Sequence, residues 1–459
     1  MSVFSLSNLK KTWYYLQKNG IRNAVWAVLE RIGQEQEVYT WQEPDEKTLS
    51  FQREHSASLR ISIVVPAYRT KKEHLEAMLN SVSRQSYPHW ELIVADAGGT
   101  AESVQAWAKK NGICLREAAD ASNLAEWKDQ SIVLSTLSEN KGISANTNAG
   151  IELAAGDAVG LLDHDDLLTA NALWEMADCL EKEKKRGKQK LVLFSDEDKC
   201  DGAASRFYEP NFKPDFDGEL LLTNNYICHF TVIETAFLKE LKLRSGFDGA
   251  QDYDLMLRAY AAGGQFVHVP KVLYHWRCHE ASTASNPRSK RYAYEAGQRA
   301  LEDYCLRKGW KATVSGLKHL GFYREDYEDS VFCQRPEIGI WAKPLPGGRD
   351  VFGIRHPKGF LVSGLYENDG SMRYAGLRKG YSGPMHRAAL QQSAPAADLR
   401  SMEVCSALKE RYAQTIAELK EACQGLPTAA QETKILQKSM EFCKEATAAG
   451  YGILWDPQA

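Results

Sequence analysis

At 459 residues the chain is long enough for two or three domains, and its 44% hydrophobic, 25% charged composition is that of a globular protein. The 57 Lys and Arg against 60 Asp and Glu leave a net charge of −3, which excludes a global nucleic-acid footprint. The 10 cysteines form no C-x-x-C pair or zinc-spaced cluster, no run of eighteen apolar residues occurs, and no signal-peptide core opens the chain. A chain that does not span a membrane and works in a reduced cytoplasm is expected.

Residues 9–29 mix Trp13, Tyr14, Tyr15, Leu16, Trp26 and Leu29 with Lys10, Lys11, Lys18 and Arg22. Such a segment suits two tasks: peripheral contact with the inner face of a membrane, or packing on the main domain or a second subunit of a homodimer. Gly20 divides it into two short helices, so residues 1–58 read as an N-terminal helical extension.

The first sheet element falls at residues 61–65, ended by Pro66. Leu75, Met78, Leu79 and Val82 then mark one helical face, and Tyr87-Pro88 breaks that helix. A strand at 91–95, a turn over Asp96-Ala97-Gly98-Gly99-Thr100 and a helix around 102–110 follow, with further strands at 115–118, 159–162 and 191–194. This alternation predicts an α/β fold with a mostly parallel sheet and right-handed crossovers. Tyr253, Met256, Leu257 and Tyr260 stripe another helix, leading into a strand at 266–269 and Pro270. The run from Ala261 to Pro270 is echoed from Ala448 to Pro457, which marks the C-terminal region as a partial repeat of the back half of the first domain.

The chemistry concentrates on Asp163-His164-Asp165-Asp166, directly after the apolar run 158–162. Strand C-termini are where ligands bind in open α/β sheets. Two adjacent carboxylates repel unless a cation lies between them, and Mg²⁺ is typically held by one or two carboxylates with substrate phosphates. The alternative reading is an acidic cap for a helix starting near Thr169. Other features share the same edge. Pro66-Ala67-Tyr68 and the Asp96 turn leave strand ends that suit a nucleotide cradle. Asn140-Lys141-Gly142, backed by Asn146 and Asn148, offers a cation for phosphate and amides for hydroxyls. Asp252 opens a helix, either as an N-cap, a role Asp254 also suits, or as a general base facing the metal. In Tyr274-His275-Trp276-Arg277, His275 is a candidate metal ligand and Arg277 a candidate phosphate partner.

In this order, Val64-Val65-Pro66-Ala67-Tyr68, residues 91–100, residues 140–150, Leu161-Leu162-Asp163-His164-Asp165-Asp166 and Gln251-Asp252-Tyr253-Asp254-Leu255 resemble glycosyltransferase family 2, inverting transferases of the GT-A fold. The resemblance spans about residues 60–300. It implies that Asp163 and Asp165 are a D-x-D pair holding Mg²⁺ or Mn²⁺ on a nucleotide diphosphate, that Asp252 is the catalytic base, and that His275 completes the metal sphere. Pro66, Ala67, Tyr68, Asp96, Asn140, Lys141, Asn148, Asp163, His164 and Arg277 are then expected on the nucleotide sugar. Phe194-Ser195-Asp196-Glu197-Asp198-Lys199 and Tyr274-His275-Trp276-Arg277 resemble bacterial enzymes of surface-polysaccharide synthesis, of rhamnosyl or galactosyl type. Two positions depart from the family pattern: Ala97 replaces an Asp or Asn that contacts the base, and Thr147 replaces an Arg.

The implied activity is metal-dependent, inverting transfer of a sugar from a nucleotide-diphosphate donor to a hydroxyl of a growing cell-surface glycan or lipid-linked saccharide. Two rivals stay open: a nucleotidyltransferase-like enzyme, and a catalytically impaired carbohydrate-binding or scaffold protein derived from a transferase. No G-x-G-x-x-G opens the first helix, which argues against a dehydrogenase. The expected layout is an extension at 1–58, a GT-A catalytic domain at 59–325 and a partial, non-catalytic duplicate at 326–459. In that duplicate, Ser439 and Glu441 take the places of Asp252 and Asp254, and Glu367-Asn368-Asp369 comes nearest to an acidic pair.

Overall fold

A computed structural model describes residues 39–119, 127–278, 291–316, 321–342, 364–365, 402–422, 438 and 441–455. The aromatic and basic segment 9–29, Glu367-Asn368-Asp369 and Ser439 lie outside the described residues. The chain divides into two units, one containing Gln34–Phe216 and Asn225–Ala300, the other Asp217–Asn224 and Leu301–Ala459. The division falls at Ala300, within the helix Arg291–Arg307, earlier than the expected boundary at 325. Among the described residues no helix is long and apolar enough to cross a membrane.

The first unit is built on a ten-stranded sheet in the order β3-β4-β2-β1-β5-β9-β7-β10-β6, with β8 beside β7. Its strands are β1 Ile61–Ala67, β2 Trp90–Asp96, β3 Cys114–Glu117, β4 Ser131–Thr136, β5 Ala158–Leu161, β6 Leu167–Leu168, β7 Leu191–Cys200, β8 Phe207–Asn211, β9 Thr231–Glu234 and β10 Gln265–Arg277. β1 runs parallel to β2 and β5, β4 to β2 and β3, and β10 to β7. β9 lies antiparallel between β5 and β7, which leaves β5 and β7 pointing the same way. The parallel strands therefore end at one common edge, and the α/β architecture expected from the alternating pattern is present.

The predicted stripe Leu75, Met78, Leu79 and Val82 is buried on the helix Lys72–Ser83, in the core with Ile61, Ile63 and Val65 of β1. The helix Ile143–Leu153 lies close against the sheet because Gly150 has no side chain. A Cβ there would stand 2.7 Å from Cγ1 of Val64. That approach fixes the N-terminus of this helix at the edge where the strands end.

The second unit contains the antiparallel pair β11 Ala312–Gly316 and β12 Tyr323–Tyr327, and a four-stranded sheet made of β13 Ile338–Ala342, β14 Gly364–Leu365, β15 Met402–Val404 and β16 Gly452–Trp455 in the order β14-β16-β13-β15. Its directions repeat those of β6-β10-β7-β9: a central parallel pair flanked by an antiparallel strand on each side. Local detail repeats too. A helix follows the antiparallel strand in both cases, Thr235–Leu241 and Ser406–Arg411. Gly264 N–H donates to Ala259 O, and Tyr451 N–H donates to Ala446 O. Gln265 N–H then meets Lys190 O just before β7, and Gly452 N–H meets Glu337 O just before β13. One feature departs: β6 precedes β7 in the chain, whereas β14 follows β13.

Candidate active site

The loops leaving β1 and β2 are tied together. Ala97 N–H donates to Ala67 O at 2.8 Å and Arg69 N–H donates to Gly98 O at 3.0 Å. Tyr68 is exposed with its ring over Gly98, and the Arg69 guanidinium lies 5.0 Å from the ring centroid. Pro66 and Ala67 sit at the end of β1, with Ala67 buried. Asp96 is also buried, and its carboxylate accepts N–H bonds from Gly98, Thr100 and Ala101. It builds the turn and accepts the first N–H of the helix Ala101–Asn111, a task the expected nucleotide contact did not include.

Asn140 and Lys141 are both exposed at the mouth of the Ile143–Leu153 helix. Asn140 Oδ1 accepts from Gly142 N–H and from Nδ2 of Asn146, while Lys141 pairs with Glu139 at 3.2 Å. Asn148 has both ends of its amide engaged: it donates to Leu243 O at 2.8 Å and accepts Leu243 N–H at 2.9 Å, holding that stretch of backbone to the helix. Asp248 comes to this helix start as well, accepting Ser144 N–H at 3.3 Å.

The acidic run leaves β5 at the same edge. Burial raises the Asp163 carboxyl above its ordinary value, His229 opposes that rise, Asp165 adds to it, His164 opposes it and Asp252 adds to it. Residues distant in sequence are thus brought within electrostatic reach of one carboxylate. His164 is half-buried and its Nδ1 is buried without a hydrogen-bond partner. Asp166 does not cap the following helix, which begins at Ala172 after Asn171. It is buried and accepts Tyr274 O–H at 2.5 Å and Arg277 N–H at 2.7 Å, joining the acidic run to β10.

Asp252 lies within the first turn of the helix Gln251–Ala261, whose N-cap is Ala250, so neither Asp252 nor Asp254 is the cap. Asp254 is buried between Arg244 and Arg258, with 3.1 Å and 2.9 Å bonds from their Nε atoms. Asp252 is half-buried, and Nδ2 of Asn225 donates to its carboxylate at 2.9 Å. Asn225 and His229 are the site residues that sequence reasoning missed. They lie in a stretch without periodicity, and the only signal was its place just before the β-branched run Thr231-Val232-Ile233.

His275 is buried, and its Nδ1 meets Asp198 Oδ1 at 2.5 Å, with Trp41 edge-on at 5.0 Å. Tyr39 O–H donates to the other Asp198 oxygen at 2.7 Å. Arg277 is buried: Nε donates to Asp165 O at 2.5 Å and Nη1 to Gly202 O at 2.7 Å, while Nη2 is buried without a partner. The expected triad of Asp163, Asp165 and His275 is not assembled as a metal cage: among the described residues no group of three or more His, Cys, Asp or Glu is placed to hold a metal ion. The donor chemistry fits a different arrangement. Besides burial, the Asp165 charge raises the Asp163 carboxyl, and Mg²⁺ commonly takes one or two carboxylates plus waters and substrate phosphates.

Residues 62–241 match the family described as Glycosyl transferase family 2. The chain is 37% identical over 255 residues to uncharacterized protein y4gI of Sinorhizobium fredii, covering 55% of this chain and 26% of that one. It is 34% identical over 256 residues to the O-antigen biosynthesis protein RfbC of Myxococcus xanthus, covering 56% and 19% respectively. The amylovoran biosynthesis glycosyltransferase AmsB of Erwinia amylovora is 28% identical over 232 residues, 47% of this chain and 70% of AmsB. The chain therefore spans about a quarter or less of the length of y4gI and RfbC. Among solved structures, S. aureus TarS 1-349 in complex with UDP-GlcNAc is similar at 20% identity and TM-score 0.40, over 54% of this chain and 67% of TarS. Over residues 62–241, rather less than half of its length, this chain is similar to glycosyl transferase family 2.

Proposed function

We propose that the first unit transfers a sugar from a nucleotide-diphosphate donor to a hydroxyl of a cell-surface glycan or lipid-linked saccharide, with inversion and with Mg²⁺ or Mn²⁺. The observation that carries this reading is the acidic run that leaves β5 at the edge where the parallel strands end, with Asp252, held by Asn225, near enough to act on the Asp163 carboxyl. A transferase needs that combination: charge compensation for a diphosphate next to a carboxylate base. The names of RfbC and AmsB support a surface-polysaccharide product. An acceptor carried on a lipid diphosphate is supported by a 29% identical Escherichia coli relative, named UDP-Glc:alpha-D-GlcNAc-diphosphoundecaprenol beta-1,3-glucosyltransferase.

In this reading Asp163 and Asp165 hold the divalent cation, which when bound offsets charge on the leaving diphosphate. Lys141 and the free Nη2 of Arg277 add positive charge for the phosphates, and Nδ1 of His164 is available to the donor. The Tyr68 ring, with Arg69 beside it, supplies a face for the nucleotide base. Asn225 orients the Asp252 carboxylate, which takes the proton from the acceptor hydroxyl as its oxygen attacks the anomeric carbon from the face opposite the diphosphate. One displacement inverts the configuration.

The second unit is read as a partial, non-catalytic duplicate of the rear of the first. The repeated strand directions and helix ends support this, and Glu441 is exposed where Asp254 is buried. The test is turnover by the full chain with a panel of sugar nucleotides, Mn²⁺ and lipid-linked saccharide acceptors. Release of a nucleoside diphosphate with an inverted glycosidic product supports the reading; release of pyrophosphate supports the nucleotidyltransferase rival.

A further inference from the structure

The acidic run that closes β7 holds a buried lysine for which the transfer mechanism has no use. Lys213 is 1% exposed. Its ammonium donates to Glu197 Oε2 at 3.0 Å, Ile227 O at 2.8 Å and His229 O at 2.5 Å, so all three N–H groups are spent. Glu197 is buried too; besides Lys213 it accepts His229 N–H, and Nδ2 of Asn211 at 3.2 Å. Ion pairs of this kind are often no better for stability than apolar residues of the same volume, so stability alone does not account for this one.

What the pair grips is informative. It binds the backbone of 227–229, ahead of β9. Two side chains of the wider stretch 225–230 reach the site: Asn225, bonded to Asp252, and His229, which acts on the Asp163 charge and stacks on Tyr274 at 5.1 Å between ring centroids. We propose that Glu197 and Lys213 are positioning residues, a clamp that sets segment 225–230 and through it the orientation of Asp252 and the surroundings of Asp163. This rests on the transferase reading.

The test compares full-length wild type with Lys213→Met and with the paired Lys213→Met/Glu197→Leu variant, in which no buried charge is left unmatched. The expected result for the paired variant is a folded chain of somewhat lower thermal stability, since Ile227 O, His229 O and the His229 N–H lose partners, with a kcat lower by roughly tenfold or more and a donor KM changed by less than about threefold. Its His229 amide, which has lost its carboxylate acceptor, should exchange hydrogen faster than in the wild type. A paired variant with wild-type kcat overturns the proposal while leaving the transferase reading intact. A wild type that turns over no sugar nucleotide overturns the transferase reading instead, and the positioning claim falls with it. Should neither variant fold, amide exchange in the wild type decides: a His229 amide exchanging far faster than those of β7 and β9 overturns the clamp, and one as slow as theirs supports it.

Discussion

Nδ2 of Asn225 donates to the carboxylate of Asp252, the proposed base, at 2.9 Å. Replacing Asp252 by Asn keeps an oxygen that can accept this bond but removes the proton acceptor. The expected outcome is a loss of about 10²–10⁴-fold in kcat with an unchanged melting temperature. Steady-state kinetics and a thermal melt check both halves. Substantial residual turnover assigns the base elsewhere.

Asp163 and Asp165 are expected to act as a pair. Chelation should abolish transfer, and Mg²⁺ or Mn²⁺ should restore it. Asp163→Asn and Asp165→Asn should each weaken Mn²⁺ uptake in the presence of nucleoside diphosphate, read by calorimetry. Unaltered Mn²⁺ affinity in both variants contradicts the assignment.

A pH dependence follows from Asp166. Burial raises its carboxyl well above the ordinary value, Asp165 and Asp163 add to the rise, and the bonds from Tyr274 and Arg277 oppose it. The folded chain therefore holds this proton to higher pH than the unfolded chain does. The group's contribution to stability is complete below the unfolded value of about 4 and is lost as pH rises toward the folded one. Asp166→Asn removes that titration, so its stability deficit against the wild type should shrink between pH 5 and pH 8. Denaturant midpoints at the two pH values measure it, and a deficit that grows with pH contradicts the account.

The parallel frame was legible because buried strands and amphipathic helices leave strong periodic signals. The strands expected at 61–65 and 91–95 are β1 and β2, and Leu75, Met78, Leu79 and Val82 face the core. β4 escaped notice because Ile132, Val133 and Leu134 are only three apolar residues between serines. At the site, residue type picked out the acidic run and Asp252, while tertiary contacts added bonds that no local pattern shows. Asp96 accepts the first N–H of a helix, Asn148 holds Leu243, and Asp166 binds β10. Asn225, His229 and Lys213 were illegible, since their roles depend on where an aperiodic segment lies rather than on a local pattern.

In the second unit, both guanidinium Nη atoms of Arg335 donate to Glu219 at 2.6 Å, and both side chains are buried. Arg335→Met leaves the Glu219 charge unmatched and should cost about 3–5 kcal/mol. The paired Arg335→Met/Glu219→Leu variant should recover most of that loss. Urea unfolding distinguishes the two, and equal destabilisation in both variants contradicts the ion-pair explanation.

Thiol reactivity provides an independent check on burial. Burial pushes the Cys200 and Cys305 thiols up to about 12, whereas Cys333 is exposed. At pH 8 almost no thiolate forms at the first two, so iodoacetamide should label Cys333 well ahead of them. Mass spectrometry of timed digests reads the order. Early labelling of Cys200 contradicts the packing around β7 and β10.

The central claim is that the edge carrying Asp163, Asp165 and Asp252 turns over a nucleotide-diphosphate sugar. Its most direct test is nucleoside diphosphate release by the wild type and by Asp163→Asn/Asp165→Asn, across a panel of sugar nucleotides with Mn²⁺. The account predicts release from at least one donor by the wild type and loss of that release in the folded double variant. No release from any donor, or equal release by both proteins, contradicts it.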